Sequence, residues 1–112
     1  RRAPAPRAVA WDALAAESEA ADVLVNATSV GLPGHGGALP LRPRRGQVVA
    51  DLVYGDTELA RAARAAGARL VTGEQLLVRQ GALAFTLWTG RAAPEAAMSA
   101  ALAQPSPTGA RR

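Results

Sequence analysis

Short apolar runs alternate along the chain with longer segments in which apolar and polar residues mix. The apolar runs cover residues 22–26, 47–54 and 68–72 and consist mainly of Val, Leu and Ala. Runs of this length that lack a polar alternation are typical of parallel strands buried on both faces. The pattern therefore predicts three neighbouring strands.

The mixed segments are rich in good helix formers, and they predict helices over residues 11–20, 57–66, 74–88 and 94–103. Thr57 is placed to cap the second of these helices and Gly67 to end it. The alternation of strand and helix favours an α/β fold with a parallel sheet. Residues 11–103 are expected to form one domain, with coil at 1–10 and a flexible tail at 104–112.

No glycine fingerprint for dinucleotide phosphates occurs, because the glycines at 31, 34, 36 and 37 do not fit the G-x-G-x-x-G spacing and no helix pattern begins there. The three strands are therefore interpreted as the second half of a doubly wound sheet. Without a first half, the strand at 22–26 would have an unpaired apolar edge. We expect the isolated chain to be marginally folded or prone to aggregate.

Charge and composition narrow the possible functions. All thirteen basic residues are Arg and the formal net charge is +4, but the arginines are scattered and no aromatic residues alternate with them, so nucleic-acid binding is disfavoured. The chain has no cysteine and a single histidine, His35, which lies in a Gly-rich loop. We therefore do not expect a metal site. The sequence contains no stretch of about 18 apolar residues that would predict a membrane span.

Candidate binding residues follow each predicted strand, where the carboxyl ends of parallel strands share a crevice. They are Asn26, Thr28 and Ser29 after the first strand, Leu52 and Tyr54 at the end of the second, and Gly73 after the third. Hydroxyl and amide groups suit a sugar-like or nucleotide ligand. On residue chemistry alone, the first three residues favour turn formation over ligand contact.

Gln80 lies on a helical stripe that is otherwise apolar. The stripe consists of Leu76, Gln80, Leu83, Ala84 and Leu87. A buried amide without a partner costs on the order of 1 to 3 kcal/mol, so a polyol hydroxyl would suit it. A half-exposed glutamine bonded to water or backbone is an equal alternative.

Three sequence blocks carry a family resemblance: VLVNATSVG at 23–31, VVADLVY at 48–54 and GEQLLVRQGALAFTLWTG at 73–90. Together they resemble the cofactor-side half of shikimate dehydrogenases. The resemblance implies a Rossmann-like sheet with C-terminal helices and an NADP-dependent, reversible reduction of 3-dehydroshikimate to shikimate. It also implies a small-molecule substrate, a cytoplasmic place in aromatic amino-acid (chorismate) biosynthesis, and a possible homodimer of the full-length enzyme.

The same resemblance suggests roles for the candidate residues. Leu52 and Gly73 correspond to cofactor-binding positions, and Tyr54 and Gln80 to substrate-binding positions. Asn26, Thr28 and Ser29 match a loop that lines the cofactor cleft. By their own chemistry, Leu52 is also explained as a core leucine and Gly73 as a strand-to-helix turn.

The chain departs from the family in several respects. The family uses a catalytic Lys with an Asp, and this chain contains no Lys, so no catalytic residue is assigned here and the chain alone is expected to be inactive. Gly55 and Asp56 replace the usual Asn-Pro, and Gln75 and Leu76 replace Gly-Met. Two alternatives stay open: a quinate/shikimate dehydrogenase that uses NAD, and a free-standing module that binds a metabolite or partner without catalysis.

Overall fold

The computed structural model describes residues 3–104. A short 3-10 turn, Trp11–Ala13, leads into the first helix. The strands are β1 Val23–Asn26, β2 Val48–Asp51 and β3 Arg69–Val71, and the helices are α1 Leu14–Ala20, α2 Glu58–Ala66, α3 Gly73–Thr89 and α4 Glu95–Ala103. The predicted alternation of strands and helices is confirmed. Most of the predicted tail, residues 105–112, lies outside the described residues.

The three strands form one parallel sheet in the order β1-β2-β3, which confirms the predicted α/β class. The register pairs Asn26 with Asp51, the last residues of β1 and β2. The carboxyl ends of these two strands are therefore level. Side chains that follow them start from the same edge of the sheet.

The two faces of the sheet are covered differently. Leu24 and Val49 pack with Leu59 and Ala63 of α2 to form the buried core. On the opposite face, the β1 side chains of Val23 and Val25 are 56% and 58% exposed. β1 is an edge strand within the described residues, as predicted, and one of its faces is apolar and open.

Local capping explains where α2 and α3 begin and end. The Thr57 hydroxyl accepts the Ala60 N–H, and Gly67 ends α2 in the left-handed conformation, as predicted. Thr72 and Gln75 form a reciprocal capping box at the start of α3. This box fixes the first turn of α3 next to the end of β3.

β2 is shorter than the predicted run of residues 47–54. Strand pairing ends at Asp51, whose carboxylate accepts the Val53 N–H at 3.1 Å and turns the chain. Leu52 and Tyr54 therefore lie in a loop and not in a strand. Both side chains are exposed, at 45% and 58%.

The apolar stripe on α3 is mostly exposed. The buried residues of α3 are Gly73, Val78 and Ala82, whereas Leu83 and Leu87 on the stripe are 74% and 81% exposed. The helical period was correct, but the packed face is a different one. No helix among residues 3–104 has the length and apolar character needed to cross a membrane.

Candidate functional site

A buried hydrogen-bond network joins the carboxyl ends of β1 and β2. Asp51 is 2% exposed, and its Oδ1 accepts the Asn26 Nδ2–H at 3.0 Å and the Val53 N–H at 3.1 Å. The Thr57 hydroxyl donates to Asp51 Oδ2. Asp51 thus connects both strands to α2, which supports a structural role for this carboxylate.

Asn26 is part of the same network and uses both ends of its amide. Its Nδ2 also donates to the Val30 carbonyl at 3.1 Å, and its Oδ1 accepts the Thr28 N–H at 3.0 Å and the Thr28 hydroxyl at 2.7 Å. The Thr28 hydroxyl in turn accepts the Val30 N–H. Asn26 and Thr28 therefore form the turn that residue chemistry favoured, while Ser29 is exposed beside them.

A shallow hollow of about 290 Å³ lies between the loop after β2 and the first turns of α3. It is lined by Leu52, Tyr54, Gly73, Leu76, Leu77 and Gln80. Four of the seven candidate residues are thus brought together, two from the loop after β2 and two from α3. Asn26, Thr28 and Ser29 do not line this hollow.

Gly73 allows α3 to approach the loop after β2 very closely. A Cβ atom built on Gly73 would lie 2.7 Å from the Leu52 carbonyl oxygen and 2.7 Å from Cδ1 of Tyr54. No side chain fits in that space. The absence of a side chain at position 73 is therefore required for Leu52 and Tyr54 to reach the hollow.

Gln80 has an exposed side chain at the rim of the hollow. Its amide has no hydrogen-bond partner among residues 3–104, and since it is not buried it pays no desolvation cost. The side chain is thus exposed, as in the second alternative considered from sequence, but it makes no bond to the backbone among these residues. The amide is free to donate to and accept from a ligand.

Glu74 is a site-forming residue that the sequence reasoning missed. Its Oε1 accepts the Gly55 N–H at 2.8 Å, across the junction between α3 and the loop. Hydrogen bonds from its own backbone N–H, and then from the Gly55 N–H and the Thr72 hydroxyl, lower the pKa of the Glu74 carboxyl. An acidic residue in the first turn of a helix was the available signal, but that pattern is common for helix stability alone.

Asp56 fixes the far side of the same loop. Its carboxylate accepts from Arg61 at 3.2 Å and from Arg64 at 2.9 Å. The hydrogen bond from Arg61 is the main reason that the pKa of Asp56 is lowered. Both cations belong to α2, so two adjacent residues of the loop are attached to different helices, Gly55 to α3 and Asp56 to α2.

The hollow suits an uncharged ring better than a phosphate. None of its six lining residues is charged, and Leu52, Leu76 and Leu77 provide an apolar wall beside the amide of Gln80 and the phenol of Tyr54. Such a surface can contact the flat face of a nicotinamide and the hydroxyls of a polyol. Among residues 3–104 no group of three or more possible metal ligands occurs.

A second cavity, of about 80 Å³, lies between the loop of residues 30–41 and α2. Its polar lining includes Asp51 and Thr57, which bond to each other. Glu58 is a second acidic residue in the lining, and most other lining residues are apolar. This cavity does not contain any of the seven candidate residues.

Comparison with known proteins gives a consistent result. Residues 73–103 match the family model described as the shikimate 5'-dehydrogenase C-terminal domain. A shikimate dehydrogenase (NADP(+)) of Anaeromyxobacter sp. (strain Fw109-5) is 69% identical over 102 residues, which are 91% of this chain and 37% of that relative. The chain thus spans little more than a third of the length of this curated relative.

Solved structures share the fold. The shikimate 5-dehydrogenase from Thermus thermophilus, in complex with NADP(H) and shikimate, is 38% identical with a TM-score of 0.64 and covers 85% of this chain and 36% of its own. The quinate dehydrogenase from Corynebacterium glutamicum in complex with NAD is 36% identical, also with a TM-score of 0.64, over 75% of this chain and 31% of its own.

These matches confirm that the sheet is part of a Rossmann-like fold with C-terminal helices. The family model and the curated relative point to the same enzyme name. The sequence blocks at 48–54 and 73–90, which first suggested the resemblance, supply all six residues that line the hollow. On this evidence the chain is similar to the C-terminal part of shikimate dehydrogenases.

Proposed function

We propose that this chain forms one wall of the active site of an NADP-dependent shikimate dehydrogenase, which reversibly reduces 3-dehydroshikimate to shikimate in aromatic amino-acid biosynthesis. The observation that carries the proposal is the hollow in which Leu52, Tyr54, Gly73 and Gln80 meet. The 69% identity to a relative named shikimate dehydrogenase (NADP(+)) supports the choice of reaction and cofactor.

In this proposal the substrate is held by the polar side of the hollow. The exposed amide of Gln80 donates to one ring hydroxyl and accepts from another, and the phenol of Tyr54 bonds to a further hydroxyl. Both side chains are accessible, so neither has to break a protein contact to bind.

The cofactor lies against the apolar side. Leu52 contacts the nicotinamide face, and the backbone at Gly73 borders it. The cofactor supplies the hydride chemistry, whereas the protein orients the reacting carbon and excludes water. Because this chain has no Lys, the proton-transfer Lys and Asp of the family are proposed to come from outside residues 1–112.

Thr28 and Ser29 are proposed as secondary cofactor contacts, and Asn26, the third residue of the predicted cofactor-binding loop, is proposed to contribute through the turn that it holds. The level ends of the two strands support this, because Asn26 pairs with Asp51 in the register. Thr28 and Ser29 are exposed and can reach a ligand. Asn26 is 2% exposed, so its part is to fix the turn from which they project.

The wider assignments are also proposals. We infer that residues 11–103 act as the partial NADP-binding domain and that the enzyme works in the cytoplasm, where the family's biosynthetic reaction belongs. We further propose that the full-length enzyme forms a homodimer and takes small molecules as its ligands, with no role for nucleic acid or membrane.

Quinate oxidation with NAD is the second candidate, and the match to a quinate dehydrogenase in complex with NAD favours it. The two candidates share the fold and the hollow. They differ in the ring substituents that Tyr54 and Gln80 would meet. The two candidates are separated by measuring, on the same preparation, the turnover of shikimate with NADP and the turnover of quinate with NAD.

The proposal can be tested in a chimaera, in which the matched part of the Anaeromyxobacter relative is replaced by this chain. We expect shikimate-dependent formation of NADPH. The Gln80→Ala variant should raise the KM for shikimate about tenfold, the loss of roughly one hydrogen bond. Gln104→Ala, at an exposed glutamine after α4, is the matched control and should leave KM unchanged.

A folded chimaera that forms no NADPH with shikimate would overturn the proposed reaction. If quinate and NAD support turnover instead, the second candidate replaces the first. Binding of shikimate without turnover by either pair would favour the non-catalytic module.

A further inference from the structure

The Glu74 carboxylate is the one side chain of α3 whose hydrogen bond fixes the backbone of the loop after β2, within the described residues. It accepts the Gly55 N–H at 2.8 Å. Gly55 follows Tyr54 directly and has a φ of +88°, a conformation that L side chains adopt rarely. The contact therefore holds the loop at a residue whose conformation is free to vary.

The loop has few other restraints near Tyr54. The Asp51 carboxylate holds Val53 from the strand side, and the Gly55 carbonyl accepts the Thr57 N–H on the helix side. Tyr54 lies between these contacts with its side chain 58% exposed. The ring packs against α3 at Gly73, and the backbone bonds on either side fix the position from which it projects.

The close approach at Gly73 is a second contact between the loop and α3. The Tyr54 ring and the Leu52 carbonyl occupy the space that a side chain at position 73 would fill. The loop is thus pressed against the first turn of α3, and Glu74 in that turn bonds to it. Close packing and a charge-assisted hydrogen bond act together at one junction.

We propose that Glu74 is a positioning residue for substrate binding: by accepting the Gly55 N–H, it holds Tyr54 and Leu52 beside Gln80 in the hollow. This inference rests on the proposed function of the hollow. Glu74 itself does not line the hollow, so it acts through the loop and not by touching substrate.

A simpler role for Glu74 is stabilisation of the helix, because a negative charge in the first turn of α3 interacts favourably with the helix dipole. The two roles make different demands on the side chain. The dipole requires the negative charge, whereas the Gly55 N–H requires only an oxygen acceptor. The Glu74→Gln variant keeps the acceptor and removes the charge, and Glu74→Ala removes both.

The experiment uses the same chimaera with three variants: Glu74→Ala, Glu74→Gln and, as matched control, Glu58→Ala. Glu58 is an acidic residue in the first turn of α2 and is exposed away from the hollow. Two quantities are measured. The first is the KM and kcat for shikimate, and the second is the hydrogen-exchange rate of the peptide that contains residues 52–56.

We expect Glu74→Ala to raise the KM for shikimate about five- to tenfold, with kcat within about twofold of the parent. Exchange in residues 52–56 should become about tenfold faster. Glu74→Gln should keep the KM and the exchange rate close to those of the parent. Glu58→Ala should change neither quantity.

Unchanged KM and exchange in Glu74→Ala, with only a lower melting temperature, would overturn the inference in favour of the helix-dipole role. A Glu74→Gln variant as impaired as Glu74→Ala would also overturn it, because the acceptor would not suffice. If the parent chimaera is folded but inactive, the proposed function fails separately. The exchange rates then decide: faster exchange in Glu74→Ala supports positioning of the loop, and unchanged exchange refutes it.

Discussion

The loop after β1 and the loop after β2 leave the sheet at the same level, yet their polar groups are used in opposite ways. After β1, the amide of Asn26 and the hydroxyl of Thr28 bond to each other and to the backbone. After β2, the backbone is held by Glu74 and Asp56, while the phenol of Tyr54 is left exposed.

This difference distinguishes a polar residue that builds a site from one that can bind in it. Asn26 has no hydrogen-bonding capacity left for a ligand that its neighbours do not already use. The Gln80 amide makes no hydrogen bond to any of the described residues, so all of its donors and acceptors are available to a ligand. The loop after β1 is therefore a border held by its own hydrogen bonds, with Thr28 and Ser29 as secondary contacts, and the loop after β2 with α3 provides the main contacts.

The largest effect that would sharpen this comparison is expected at Asp51. Asp51→Ala leaves the Asn26 amide, the Val53 N–H and the Thr57 hydroxyl without their acceptor in a buried place. We expect the free energy of unfolding to fall by about 3 kcal/mol. Urea unfolding of the chimaera, followed by circular dichroism, measures it.

Gln80→Ala is the counterpart in that measurement and should change the free energy of unfolding by less than about 0.5 kcal/mol, because the side chain is exposed. The main effect of Gln80→Ala is instead expected on the KM for shikimate. Equal destabilisation by both variants would remove the distinction between the two loops.

The next effect is expected at Gly73. Gly73→Ala places a methyl group 2.7 Å from the Leu52 carbonyl and the Tyr54 ring, so the loop must move. We expect a loss of about 1 to 3 kcal/mol of stability and higher KM values for both shikimate and NADP. Steady-state kinetics and urea unfolding of the chimaera test this.

Gly81 provides the matched control within the same helix. A Cβ at position 81 meets nothing within 4 Å, and alanine favours a helix by about 0.5 to 1 kcal/mol over glycine. Gly81→Ala should therefore stabilise the protein and leave both KM values unchanged. A similar loss in both variants would contradict this prediction, because the loss at position 73 could then not be attributed to the contact with the loop.

Sequence reasoning predicted the features that depend on local pattern. The alternation of strands and helices, the Thr57 cap and the Gly67 end of α2 follow from residues close in sequence, and the structure confirms them. The convergence of strand ends follows from parallel topology, which explains why Leu52, Tyr54 and Gly73 were chosen together.

Other features depend on contacts between distant residues and could not be found in this way. The space at Gly73 is filled by residues about twenty positions earlier, and Glu74 bonds to a backbone N–H rather than to a recognisable side-chain partner. The exposure of Leu83 and Leu87 shows a further limit. Periodicity identifies a helix and its apolar stripe, but not what packs against that stripe.

The smallest effect is a difference in acid sensitivity between the two loops. Hydrogen bonds lower the pKa of Glu74 from its ordinary value of 4.5 and that of Asp56 from 3.8. Both contacts therefore stabilise the loop after β2 when the pH is above these ordinary pKa values. They are lost as the pH falls through the lower pKa values of the folded state. The loop after β1, residues 27–30, contains no titratable side chain.

We accordingly expect protection of the Gly55 amide, corrected for the intrinsic exchange rate at each pH, to fall as the pH drops below the ordinary pKa of 4.5, while that of residues 27–30 changes less. Glu74→Gln combined with Asp56→Asn should abolish the difference, because neither side chain can then change its charge. If both loops lose protection to the same extent, and still do so in the double variant, the acid sensitivity belongs to the hydrogen-bond network around Asp51 that joins the two loops. The distinction between a border loop and a contact loop would then hold for ligand binding but not for stability.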